Sequence, residues 1–159
     1  LQCTPAQPGC ADCPLAARCL ALAAGTVAER PVKQAKTKVR DRWFNYLHVT
    51  CGDRTLLRRR GEGDIWQGLY EFPMIETDRA ADFSELTASE EFRTLLGGVE
   101  WRLLRSVAMP KHQLSHQTLH AVFHRIEISF PVDFPSVPTA TLGDYAVPRL
   151  IDRYLDRQP

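Results

Sequence analysis

Four of the five cysteines fall in one short stretch, "CTPAQPGCADCPLAARC" (residues 3–19), where Cys3, Cys10, Cys13 and Cys19 are separated by gaps of six, two and five residues. Thiols crowded this closely in sequence are metal ligands or disulfide partners rather than inert core residues. A disulfide framework suits an oxidising compartment and is disfavoured in a cytosolic chain. Zinc sites usually pair two C-x2-C knuckles or recruit histidine from a distant segment, whereas only Cys10 and Cys13 form a knuckle here. An iron–sulfur cube has four corners spread over several ångströms, which one continuous loop with unequal gaps can reach. The spacing therefore favours a [4Fe–4S] cluster, with zinc and disulfides as the open alternatives. Cys51, beside a "CGDR" turn, reads as a free core thiol.

Basic and imidazole side chains form the second chemical pattern. Between residues 30 and 42 stand Arg30, Lys33, Lys36, Lys38, Arg40 and Arg42 against one acid, Asp41. Lys36, Lys38, Arg40 and Arg42 alternate, so an extended backbone puts all four on one side, where they could follow a phosphate backbone. Solvated linker charge is the plain alternative. Arg58, Arg59 and Arg60 raise the same question, with one or two of them sharing a face. His112, His116, His120 and His124 recur every four residues, a helical metal spacing. Their β-branched and aromatic surroundings favour a strand instead, in which such histidines lie ~13 Å apart, too far to share one ion.

These groups need elements to position them. The chain has 159 residues, 44% hydrophobic and 25% charged, with a net charge of +1, which suits one globular domain with a small appendage and excludes a general polycation. No apolar run approaches the roughly 20 residues that cross a bilayer. "RWFNYLHVT" and "TLLRRR" flank the turn signal "CGDR", predicting a hairpin. Thr87 with Glu90 offers a capping box for a helix with a stripe of Ala88, Phe92, Leu95 and Leu96. Val147, Leu150, Ile151, Tyr154 and Leu155 fall at helical spacing near the end, with Pro148 where a first turn tolerates it. Strands are expected over about 99–109 and 117–130. The fold class is α+β, a mixed β-sheet with flanking helices.

The C-x6-C-x2-C-x5-C pattern with "CPL" at its centre resembles the cluster loop of helix-hairpin-helix DNA glycosylases. "RRRGEGDIWQGLYEFP" (58–73), "KHQLSHQTLH" (111–120) and "YAVPRLIDRYL" (145–155) resemble, in order, the C-terminal region of the A/G-specific adenine DNA glycosylases, the MutY family. The resemblance runs from the cluster loop to the last helix. It implies a cluster loop over 1–24 that ends a catalytic domain, a basic linker over 25–37, and a Nudix-like recognition domain over 38–159. The chain, which opens on Leu1, reads as a piece of a longer protein whose catalytic residues lie upstream, so no catalytic residue is expected here and the piece is expected to be inactive alone. A Nudix hydrolase carries G-x5-E-x7-R-E-x2-E-E. Counted from Gly68, the glutamate position is Met74, and no R-E-x2-E-E follows, so the acids that hold a hard divalent ion are missing from that pattern.

The same resemblance implies what is read. Such enzymes find adenine opposite 8-oxoguanine, whose oxidised edge carries an N7–H donor and an added carbonyl. The family's recognition loop is Phe-Ser-His, and the matching residues are Leu114, Ser115 and His116. Ser115 is expected to touch the base, since a hydroxyl donates or accepts at minimal size, and His116 to brace the loop or touch phosphate. Leu114 departs from the usual aromatic and offers packing without aromatic stacking. The expected ligands are thus a [4Fe–4S] cluster on Cys3, Cys10, Cys13 and Cys19 and double-stranded DNA containing 8-oxoguanine:adenine. Lys36, Lys38, Arg40 and Arg42 are expected on its backbone. The chain is expected to be monomeric, off the membrane, and cytoplasmic or nucleoid-associated. The competing reading is a protein-partner interaction module on a non-catalytic Nudix-like fold.

Overall fold

A computed structural model describes residues 2–4, 7–30 and 39–158. The chain divides into two compact units, Leu1–Lys38 and Val39–Pro159. The first is a loop with three short turns of helix: a 3-10 turn at Ala16–Arg18, α1 at Leu20–Ala23 and a second 3-10 turn at Val27–Glu29. None of its helical residues is buried, and Leu15 and Leu20 are exposed.

The second unit is built on two long strands, β1 (Arg40–Cys51) and β8 (Gln117–Ile128), paired in parallel from Arg40↔Gln117 to Thr50↔Glu127. The expected hairpin is present. β1 turns at Gly52 and Asp53 into β2 (Arg54–Leu56), in register Cys51↔Arg54, and Gly52 has φ +58°, the conformation that a two-residue hairpin turn asks of its first central residue. β3 (Arg58–Arg59) and β4 (Tyr70–Glu71) form a separate small ladder. β5 (Met74–Thr77) pairs antiparallel with the first half of β1. β6 (Trp101–Ala108) and β7 (His112–Gln113) pair with β8, and β9 (Ser136–Pro138) closes the other edge on β2. The observed strands β6 and β8 fall inside the ranges expected from sequence.

Alternation along the two central strands sends side chains to two cores. Phe44, Tyr46, Leu119, Ala121 and Phe123 face one side, where Leu150, Ile151 and Tyr154 of α4 (Arg149–Leu155) cover them. Leu47, Val49, Ile126 and Ile128 face the other, under Leu86 of α2 (Phe83–Thr87) and Phe92 and Leu96 of α3 (Glu90–Leu96). The Tyr154 ring lies stacked on Phe123 at 3.9 Å between centroids. The sheet between helices agrees with the α+β expectation.

Two details differ from the sequence reading. The expected Thr87/Glu90 capping box is absent, because the helix is split. Asp82 starts α2, its backbone N–H donating to Glu85 Oε2 at 2.9 Å, and Ser89 caps α3 by accepting from the Phe92 N–H at 3.2 Å. Thr87 instead ends α2, donating to the Ser84 carbonyl at 2.8 Å. At the C-terminus Pro148 stands at the cap position and the helix proper begins at Arg149.

Candidate nucleic-acid interface

The "QLSHQ" stretch folds as a tight hairpin between β7 and β8. Its register, His112↔Leu119 and Gln113↔Thr118, is closed by the Leu114 N–H donating to the Gln117 carbonyl at 2.8 Å, which leaves Ser115 and His116 as the two turn residues. Both are exposed. Gln113 ties the stem from inside, donating to the Leu114 carbonyl at 3.0 Å and accepting from Thr118 Oγ1 at 2.9 Å. Leu114 is half-buried and packs on the core that α4 covers. Its apolar side chain thus anchors the turn.

Strand pairing brings Arg40 to this tip. The Arg40 N–H donates to the His116 carbonyl at 3.1 Å, and the Arg40 side chain is 72% exposed and approaches Glu76 at 3.8 Å. Ser115, His116 and Arg40 therefore share one exposed edge. Lys36 and Lys38 lie outside the described residues.

Arg42 does not join them, and its assignment to the DNA backbone is corrected. The side chain is 7% exposed and every one of its five N–H donors is taken. Nε and Nη2 donate to the two Glu76 oxygens at 2.7 and 2.6 Å, Nη1 and Nη2 to the two Asp64 oxygens at 2.7 and 2.8 Å, and Nη1 also to Gln117 Oε1 at 3.1 Å. Alternation does put it on the same side as Arg40, but one step further along β1 that side is already covered. The hydrogen bonds to Glu76 and then Asp64 raise the guanidinium pKa further above its ordinary value, and the Asp64 carboxyl is held down at about 2, chiefly by its bond from Arg42.

The arginine run 58–60 divides by face as alternation requires. Arg58 and Arg60 both pair with Glu71, itself 2% exposed, while Arg59 turns the other way to the Gly68 carbonyl at 2.9 Å. Glu71, Asp64 and Glu76 are the residues that sequence reasoning missed. The available signal was their position: acids at 64, 71 and 76 follow closely on the arginines at 58–60.

Three of the four evenly spaced histidines have separate partners. His120 lies flat on Trp43, centroids 4.8 Å apart, and its Nε2 is 2.7 Å from Asp41 Oδ1. His124 is buried against Phe83 with its Nδ1 2.8 Å from Ser106 Oγ. His112 and Trp66 make a T-shaped contact, centroids 5.9 Å apart. Cys51 packs beside the core under α2 and α3 as a free thiol. Met74, at the position where the Nudix pattern asks for glutamate, lines a groove of about 430 Å³ with Arg58, Glu90, Glu91 and Thr94.

In the first unit Cys3, Cys10, Cys13 and Cys19 all line one cavity of about 400 Å³, with Ala16, Leu22 and Val27 among its apolar walls. All four are free thiols. Among the described residues no three His, Cys, Asp or Glu side chains converge as the ligands of a single ion would. Four soft donors spread around one largely apolar space fit a polynuclear cluster, whose corners need separated thiolates.

Comparison with known proteins agrees with this architecture. Residues 45–157 match a family model described as the NUDIX domain. An adenine DNA glycosylase of Buchnera aphidicola subsp. Schizaphis graminum (strain Sg) is 24% identical over 143 residues, covering 84% of this chain and 36% of that protein. The chain thus spans about a third of the length of this curated relative. Among solved structures, the E. coli ORF135 protein superposes with a TM-score of 0.53 at 15% identity, over 74% of this chain and 91% of that one. The C-terminal domain of mouse MUTYH, solved in complex with human PCNA, gives 0.50 at 15% identity, over 74% and 89%. These two structures share the fold. Matched to the family model over most of its length, the chain belongs to the NUDIX domain family, as a member similar in sequence to an adenine DNA glycosylase.

Proposed function

We propose that this chain is the C-terminal part of an adenine DNA glycosylase of base excision repair, and that it recognises 8-oxoguanine opposite adenine while the remainder of the enzyme excises the adenine. The observation that carries the reading is the exposed Ser115–His116 turn beside the exposed Arg40, in a chain similar to such a glycosylase. Guanine offers an acceptor at N7, whereas its 8-oxo form offers an N–H donor there and a carbonyl beside it. The Ser115 hydroxyl accepts from that N–H or donates to the new carbonyl. Arg40 supplies a phosphate contact that carries no sequence information, and His116 supports the turn through its carbonyl bond to the Arg40 N–H. With Leu114 engaged in the core, recognition relies on hydrogen bonding more than on stacking.

In the same reading Cys3, Cys10, Cys13 and Cys19 hold a [4Fe–4S] cluster. The cluster supplies a rigid cross-link for a loop with no buried helical face, and a group whose potential responds to its surroundings. The chain's own contribution is four thiolates and an apolar wall that limits water.

Fluorescence anisotropy with duplexes bearing 8-oxoguanine or guanine opposite adenine, over a salt series, tests the proposal. Tighter binding to the oxidised duplex together with a negative salt slope supports it. Equal binding with a flat slope favours the protein-partner module, a reading encouraged by the exposed Trp101 and Leu104 on edge strand β6.

A further inference from the structure

Arg42 and the loop over residues 61–68 are joined to the Ser115 hairpin at two points. The first is polar. The Arg42 guanidinium that grips Asp64 on the loop also donates to Gln117, the residue whose carbonyl closes the hairpin. The second is apolar. Trp66 meets His112, on the opposite stem of the hairpin, and Phe44 in T-shaped contacts, with centroids 5.9 and 6.4 Å apart. Trp66 also has φ +62°, the left-handed region that a bulky side chain rarely adopts.

A backbone of that kind persists only where its surroundings fix it. Here the fixing groups are visible. Asp64 accepts from Arg42, from Arg60 Nη2 at 2.8 Å and from the Ile65 N–H at 2.7 Å, while Arg60 donates to the Ile65 carbonyl at 3.0 Å. Behind them Glu76 and Glu71 hold the two arginines against the sheet. The loop is thus locked from its base, and the locked loop and the locking arginine each touch one stem of the hairpin.

We infer that Arg42 and Asp64 are positioning residues that set the Ser115 turn: through Gln117 directly, and through the strained Trp66 loop against His112. This rests on the reading of Ser115 as the lesion contact, but its mechanical part stands apart from DNA.

Two changes test it, the isosteric Asp64→Asn and Arg42→Gln, which shortens and neutralises the side chain, with amide hydrogen exchange as the first readout. The Leu114 amide, bonded to Gln117, is expected to exchange faster by about fivefold or more, the loss of one ordinary hydrogen bond's support. The Leu47 amide, bonded to the Pro73 carbonyl at 2.8 Å in the centre of the sheet, serves as the control and is expected not to change. Unchanged Leu114 exchange in both variants overturns the inference whatever the DNA result.

DNA binding is the second readout. Removing a negative charge at Asp64 by electrostatics alone tightens binding to every duplex. The positioning account instead predicts that Asp64→Asn lowers the oxidised-to-undamaged affinity ratio by about fivefold. It also predicts that Arg42→Gln leaves the salt slope unchanged, whereas a lost phosphate contact reduces it by about 0.9. An undiminished ratio, or a reduced slope, contradicts it. If the unaltered chain shows no preference for the lesion, the recognition reading fails and the exchange data still decide the mechanical one.

Discussion

Two buried histidines are expected to make the second unit acid-sensitive. His48 is 4% exposed and His124 3%, and burial, with Arg125 and Arg105 adding to it for His48, lowers both to about 4. Their unfolded value is about 6.5, so the unfolded chain binds more protons between these limits. Stability is therefore complete above pH 6.5, falls as pH drops through 6.5, and stops falling on this account below 4. The full effect of each shift is about 3 kcal/mol, of which about 2 kcal/mol has been lost by pH 5. Together the pair removes about 4 kcal/mol at pH 5, a large part of the roughly 5–15 kcal/mol of a typical domain. Urea unfolding followed by tryptophan fluorescence measures this in the right unit, since Trp43, Trp66 and Trp101 all lie in it. His48→Gln is expected to be less stable at pH 7.5 but to lose about 2 kcal/mol less than the unaltered chain on going to pH 5. If His48→Gln and His124→Gln both keep the original pH dependence, the imidazoles are not the groups that titrate and the reasoning fails.

Three further outcomes follow from local geometry. Ser89→Ala removes the α3 cap and is expected to lower stability by about 1 kcal/mol, read from the urea midpoint at constant m, while Thr87→Ala, at the residue that sequence favoured for the cap, costs less. Phe123→Ala opens a cavity under Tyr154 in the centre of the sheet and is expected to cost about 3–5 kcal/mol by the same measurement. Protein purified without oxygen is expected to be brown and to contain iron and sulfide, and Cys13→Ser to lose the colour; colourless protein with one zinc per chain contradicts the cluster.

The parts of the fold that were legible in sequence are those where local chemistry and burial agree. "CGDR" between two β-rich runs became the β1–β2 turn, and Leu150, Ile151 and Tyr154 became the buried stripe of α4. The split between α2 and α3 was harder to see, because Thr87 and Ser89 are both competent caps and only packing selects Ser89. For the site, alternation found the exposed Arg40 and misread Arg42. Period two fixes the face of a strand but not what covers it. The covering acids come from Asp64 on a distant loop and Glu76 on β5, and no local pattern ties them to residue 42. Nothing in the residue type of Trp66 signals strain, and only its backbone φ of +62° marks it.

Ser115→Ala is the most direct test of what the hairpin does. The side chain is exposed at the turn, so its loss is expected to leave the unfolding midpoint in place. In anisotropy with the 159-residue chain, the preference for the 8-oxoguanine duplex over its undamaged counterpart is expected to fall by about fivefold, with the salt slope unchanged. A Ser115→Ala chain that separates the two duplexes as well as the original contradicts the account.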